Sequence, residues 1–167
     1  MLEAVARLAR DGAAVALVVV GGGRGLPTDT ERELRSRAAE DDLSGLVRFV
    51  GVEPDPRPYL WAADALVLPS VREGMPNSLL EAMACGLPCI APPSAGGDEL
   101  LDAETGIVPR SNAPEDLSAA LRDLAANPAR RRQLGDAGRG RVHRFGIDEV
   151  AERYEQLYSE LVSGGRA

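Results

Sequence analysis

Ala65-Leu66-Val67-Leu68-Pro69-Ser70-Val71-Arg72-Glu73-Gly74-Met75-Pro76-Asn77-Ser78-Leu79-Leu80-Glu81-Ala82-Met83-Ala84-Cys85-Gly86-Leu87-Pro88-Cys89-Ile90-Ala91 reads as strand, loop, helix and strand. Ala65 to Leu68 is a short apolar run with no polar interruption, the pattern of a strand covered on both faces. Asn77 to Cys85 follows helical periodicity, and Pro88 to Ala91 is a second apolar run. Two such strands joined by a helix form a right-handed βαβ unit, so they are expected to run parallel.

The same alternation extends in both directions. Upstream, Leu2, Val5, Ala6 and Leu8 to Ala9 recur at helical spacing and stop at Asp11-Gly12. Ala14 to Val20 is a continuous run closed by Gly21-Gly22-Gly23, expected as a strand buried on both faces. Thr30 to Asp42 predicts an amphipathic crossover helix, Val47 to Val50 the next strand, and the residues around Tyr59, Leu60 and Ala63 a short helix. Downstream, a short strand is expected at Gly106 to Val108 and helices near 114 to 126, 128 to 137 and 147 to 162. The whole predicts an α/β, doubly wound, Rossmann-like parallel sheet with flanking helices, in one domain over residues 1–167, with ligands beyond the carboxyl ends of the strands. The chain opens on a helix where a βαβ half opens on a strand, so the first strand and its loop are expected to be missing.

Composition narrows the chemistry. The formal charge of −7 works against a polyanionic partner, since nucleic-acid affinity comes largely from basic groups that displace counterions. All 19 basic residues are arginine, which excludes a Walker-type phosphate lysine and a Schiff-base amine. Cys85 and Cys89, with His143 as the single histidine, show no metal-ligand spacing, so no metal is expected and a structural role is read for all three. The longest apolar run, Ala13 to Val20, is far below the roughly 20 residues that span a bilayer. No amino-terminal targeting signal is read, and a reducing, cytoplasmic setting is expected.

The loop between Leu68 and Asn77 forms a mouth. Asn77 or Ser78 is expected to cap the helix, whose first-turn amides and dipole favour a phosphate or diphosphate just outside. Gly74 lets that backbone come close to a ligand. Glu73 in the loop and Glu81, expected in the first helical turn, place a carboxylate on each side, and carboxylates accept the paired hydroxyls of a vicinal diol. The spacing also fits a simpler reading, with Ser78 and Glu81 as a capping box and Glu73 solvated in its loop.

The string Glu73-Gly-x-Pro76, followed by Leu80-Glu81-Ala82-Met83-Ala84-x-Gly86-x-Pro88, resembles the E-x7-E signature of retaining glycosyltransferases of the GT-B fold, family 4 type, also called glycosyl transferases group 1. Val18 to Gly23, Val47 to Gly51 and Ala62 to Ser70 resemble other strands and turns of that family, so the likeness covers nearly the entire chain. It implies the carboxy-terminal, donor-binding half of a GT-B fold. On that resemblance Glu73 is the catalytic-centre residue facing the donor sugar and Glu81 holds the ribose hydroxyls. The backbone of Gly74, Met75, Pro76, Asn77, Ser78 and Leu79 lies by the diphosphate and sugar, and Arg48, Val50 and Gly51 lie by the base. Gly23, Arg24, Arg72 and Gly97 are further candidates, Gly97 from a Gly-Gly-x-x-Glu loop that is one residue shorter here.

The implied reaction is transfer of a sugar from a nucleoside diphosphate to an acceptor hydroxyl with retention, the nucleotide sugar being substrate rather than cofactor. The resemblance also implies an amino-terminal acceptor domain, in the same or a separate chain, that is absent from these residues, so little activity is expected of them alone. A non-catalytic nucleotide-sugar-binding module is the alternative, and an epimerase-like fragment a more distant one. Val150, Tyr154, Leu157, Tyr158 and Leu161 form one stripe of the last helix, expected to be exposed or to drive a homodimer. Peripheral attachment at the inner membrane face is expected of the complete enzyme.

Overall fold

The computed structural model describes residues 1–22, 29–95 and 97–164. Helix α1 (Leu2–Arg10) leads to strand β1 (Leu17–Val20), α2 (Asp29–Ala38), β2 (Val47–Gly51), α3 (Arg57–Ala62), β3 (Leu66–Val67) and α4 (Asn77–Ala84). Then follow β4 (Cys89–Ile90), α5 (Gly97–Leu100), β5 (Gly106–Ile107), α6 (Pro114–Ala126), α7 (Pro128–Val142) and α8 (Ile147–Gly164). Every expected element forms, and every strand pair is parallel. The fold is the α/β, doubly wound class predicted.

Glycines stop two of the helices that fix the architecture. Gly12, at φ +81°, ends α1, with the Gly12 and Ala13 N–H groups donating to Ala9 and Leu8 carbonyls. Gly86, at φ +73°, ends α4 in the same way, the Leu87 N–H reaching back to the Ala82 carbonyl, and so turns the chain directly into β4. A left-handed residue there favours glycine because it has no Cβ to clash with the preceding carbonyl.

The strands β3, β4 and β5 carry side chains alternately to two helix layers. Leu66, Leu68, Cys89 and Ala91 pack in the cluster of Leu79, Ala82 and Met83 of α4. Ala65, Val67, Ile90 and Ile107 pack in the cluster of Ala4 of α1 with Leu117, Ala120 and Leu124 of α6. Period-two alternation therefore covers both faces, and Cys89 and Ile90 of the middle strand are fully buried.

Among the described residues the sheet comes in two pieces, β1-β2 and β3-β4-β5. Leu17 and Gly21 N–H groups donate to Leu46 and Gly51 carbonyls, so by alternation the backbone of Val18 and Val20 points to the other edge of β1. Leu66 and Leu68 donate to Pro88 and Ile90 carbonyls, which turns the backbone of Ala65 and Val67 to the other edge of β3. The helix layer above is continuous: α1 touches α6 on one side and α2 on the other. It packs Leu2, Val5 and Ala6 with Leu17 of β1, and Ala4 with Ala65 and Val67 of β3.

This division corrects two expectations. The run Ala14 to Val20 is not a strand buried on both faces: only Leu17–Val20 is strand, and Val18 and Val20 are 48% and 37% exposed. Likewise β3 is only half-buried. Apolar composition marks what a strand is made for, but burial needs a neighbour on each edge and a layer on each face. Each of these strands has one hydrogen-bonded neighbour among the described residues.

Candidate functional site

The carboxyl ends of β3, β4 and β5 gather three loops on one rim. Residues 69 to 76 leave β3 and enter α4, the 3-10 turn Pro93–Ala95 follows β4, and residues 108 to 113 lead from β5 into α6. Three polar residues tie these loops together. The carbonyl of Ser70 accepts hydrogen bonds from Asn112 Nδ2 at 2.7 Å and from Ser94 Oγ at 3.2 Å. The Ser70 hydroxyl in turn donates to Glu73 Oε1 at 2.6 Å. Ser70, Ser94 and Asn112 were not singled out from sequence. Their common signal is only that each lies shortly after a strand of a parallel sheet, on the rim where ligands bind.

Glu73 is thus an exposed carboxylate with one oxygen engaged, in the loop that opens the mouth. Glu81 is exposed on α4, its carboxylate with no hydrogen-bond or ion-pair partner among the described residues. The capping expectations need correction. The N-cap of α4 is Pro76, with no side-chain cap, because Asn77 is already helical and Ser78 stands one residue further in. Glu81 is the fifth helical residue rather than one of the first turn, so a capping box between Ser78 and Glu81 does not form. That frees Glu81 from the simpler reading.

The helix start is also narrower than expected. The Asn77 and Leu79 N–H groups are taken by the Met75 and Pro76 carbonyls, leaving that of Ser78 without a backbone acceptor among the described residues. Pro76 and Leu79 are buried, so their side chains belong to the packing, while Met75, Asn77 and Ser78 are exposed around the opening. A Cβ on Gly74 would meet nothing within 4 Å, so the protein's own packing leaves space over that backbone. Arg72 stands exposed in the same loop and has no ion-pair partner among the described residues, which suits an anionic neighbour.

The remaining candidates lie elsewhere. Arg48 is exposed on β2, and Val50 and Gly51 are half-buried behind it, with Gly51 at φ +90° and its carbonyl bonded to Gly21. Among the described residues no hydrogen bond joins them to the α4 mouth. Gly97 opens the short α5. Gly23 and Arg24 lie outside the described residues. Cys89 is buried, its thiol donating to the Leu87 carbonyl at 3.2 Å and pushed up to about 12 by desolvation, as befits a packing residue. An open cavity of about 470 Å³ lies between α4 and the end of α7, lined by Leu80, Ala84, Arg139, Val142 and His143, and includes neither Glu73 nor Glu81.

Fold and rim together define a doubly wound α/β domain with polar loops gathered at the carboxyl ends of its strands. A family model described as glycosyl transferases group 1 matches residues 1–127, and the chain belongs to that family. The D-inositol 3-phosphate glycosyltransferase of Streptomyces bingchenggensis is 30% identical over 155 residues, which cover 91% of this chain and 34% of the relative. The C-terminal domain of a group 1 family protein from Francisella tularensis superposes with a TM-score of 0.73 at 24% identity, over 87% of this chain and 77% of that one. The Anabaena protein HepE, solved with UDP, superposes at 0.85 with 20% identity, over 95% of this chain and 44% of its own. The chain therefore spans about a third of the curated relative it matches and is the carboxy-terminal domain of the family's fold.

Proposed function

We propose that this chain is the donor-binding half of a retaining glycosyltransferase that moves a sugar from a nucleoside diphosphate to an acceptor hydroxyl. The observation that carries the reading is the pair of exposed carboxylates, Glu73 and Glu81, on either side of the α4 entrance at the rim of a parallel sheet. Glu81, free of any cap, accepts the ribose hydroxyls. Glu73 accepts from the donor sugar, while the Ser78 amide, the helix dipole and Arg72 face the diphosphate. The space above Gly74 admits it. Arg48, Val50 and Gly51 of β2 lie toward the base, and Gly97 toward the sugar. The capture of UDP by HepE, which shares the fold, supports a nucleotide in this mouth.

In the reaction the leaving diphosphate takes the acceptor proton on the same face from which it departs, and the mouth stabilises its growing charge. Glu73 positions the sugar rather than attacking it. The acceptor is bound by a second half, and one further parallel strand fills the place between β1 and β3. Edges of β1 and β3 that have no strand partner among the described residues, beneath one helix layer of α6, α1 and α2, support that strand. It also restores the loop that brings basic groups to the diphosphate. The complete enzyme works at the cytoplasmic face of a membrane, although among the described residues no helix is long and apolar enough to cross one.

Two measurements test this. Calorimetric titration with UDP, GDP and ADP and their sugars should show micromolar to millimolar binding of one pair. Glu81→Ala should weaken that binding about 10- to 100-fold, the worth of hydrogen bonds to a charged group. Undiminished binding in the variant removes Glu81 from the site. Transferase assays on the isolated 167-residue chain should show no turnover with any acceptor, and detectable turnover would refute the need for a second half.

A further inference from the structure

The rim bonds described above form a chain with a direction. Asn112 lies beyond β5 and Ser70 beyond β3, separated by 42 residues, yet Asn112 Nδ2 sits 2.7 Å from the Ser70 carbonyl and 3.4 Å from Ser94 Oγ. The opposite end of the same amide, Oδ1, is buried with no hydrogen-bond partner among the described residues. Rotating the amide would place Oδ1 against the Ser70 carbonyl, acceptor against acceptor, so its orientation is dictated by donation alone. An orphaned buried acceptor is costly and is characteristic of positions held for something other than stability. What the arrangement secures is the backbone of Ser70, three residues before Glu73, and the Ser70 hydroxyl then holds Glu73 Oε1 at 2.6 Å.

We propose that Ser70 and Asn112 are positioning residues for Glu73, a relay that locks one carboxylate oxygen and presents the other to a donor-sugar hydroxyl; this rests on Glu73 facing the sugar, as read above. An exposed glutamate has several rotatable bonds and would lose that freedom on engaging a ligand. Held in advance, it loses less, and the gain is confined to the part of the ligand that Glu73 touches. The relay therefore acts on the sugar and leaves the nucleotide alone. Ser94, in the turn after β4, donates to the same carbonyl, so loops that follow three strands of the sheet meet at the Ser70 backbone.

The test is the ratio of affinities for a nucleoside diphosphate and its sugar, using whichever of the UDP/UDP-glucose, GDP/GDP-mannose and ADP/ADP-glucose pairs the parent binds most tightly. Ser70→Ala should lower affinity for the nucleotide sugar roughly tenfold, about one hydrogen bond, with the diphosphate unchanged. Ser70→Thr should restore it, and Asn112→Ala should follow Ser70→Ala in direction. In Ser70→Ala/Glu73→Ala the loss should be no greater than in Glu73→Ala alone, which a general structural role would not produce. The unchanged diphosphate affinity shows in each case that the variant is folded. If Glu73→Ala lowers sugar affinity but Ser70→Ala does not, or if the two losses add, the relay is wrong while the placement of Glu73 stands. If Glu73→Ala is itself silent, or no pair binds the parent, the placement fails and the relay falls with it.

Discussion

Asp102, in the turn that feeds β5, holds four donors. Its Oδ1 accepts from the Thr105 hydroxyl at 2.9 Å and from the Glu104 and Thr105 N–H groups at 3.0 Å, and its Oδ2 pairs with Arg141 of α7. Chiefly the Thr105 hydroxyl, then the backbone donors and the guanidinium, hold its carboxyl below the usual 3.8. A carboxyl depressed in the folded state contributes stability above its unfolded pKa and loses it as pH falls through the folded value. Asp102→Asn should therefore lower the urea midpoint at neutral pH, and the gap from the parent should close as pH drops below 3.8. A gap that persists in strong acid would mean that geometry rather than charge secures the turn. The same scale shows how far single residues were legible. Glu73 and Glu81 stood out as a spaced pair, but only the structure shows that Glu81 is not spent on its own helix, because the cap falls at Pro76. Ser70 and Asn112 carried no such mark, since their meeting depends on strands that are distant in sequence.

At the scale of elements, α7 illustrates packing overriding propensity. Its glycines suggest a stop near residue 137, since each costs about 1 kcal/mol in a helix, yet the helix runs to Val142. The reason is contact. A Cβ on Gly135 would lie 2.1 Å from the Gly86 carbonyl, and Gly138 sits against Thr105 and Met83, so small residues let α7 lie on the end of α4. Arg139 then bonds the Cys85 carbonyl at 2.9 Å, closing the carboxyl end of the helix that carries Glu81. Gly135→Ala should lower stability by about 1–3 kcal/mol through overpacking against backbone. Gly140→Ala, with nothing within 4 Å, should raise it by about 0.5–1 kcal/mol. Urea titration of both distinguishes contact from propensity: equal effects would show that the glycines act through helix propensity alone.

At the scale of the whole molecule, α8 presents an exposed apolar stripe. Tyr154, Leu157, Tyr158, Leu161 and Val162 are between 47% and 70% exposed, and the two tyrosine rings lie tilted against each other, centroids 6.1 Å apart. We expect this stripe to draw two copies together when no other half covers it. Sedimentation should show mass rising with concentration in the parent and a constant monomer in Leu157→Glu/Leu161→Glu; a parent of constant mass would exclude the homodimer. The sequence by itself determined the order of strands and helices, the parallel sense of the sheet and the family mark from Glu73 to Pro88. These follow from local periodicity, turn chemistry and motif spacing, which are properties of neighbouring residues. Only the tertiary structure decided that the sheet of the described residues stands in two parts, that β1 is half-exposed despite its valines, and that loops from three strands converge on the Ser70 carbonyl. Burial and orientation depend on which distant segments supply an edge, a covering layer or a hydrogen-bond partner, and no local pattern encodes that.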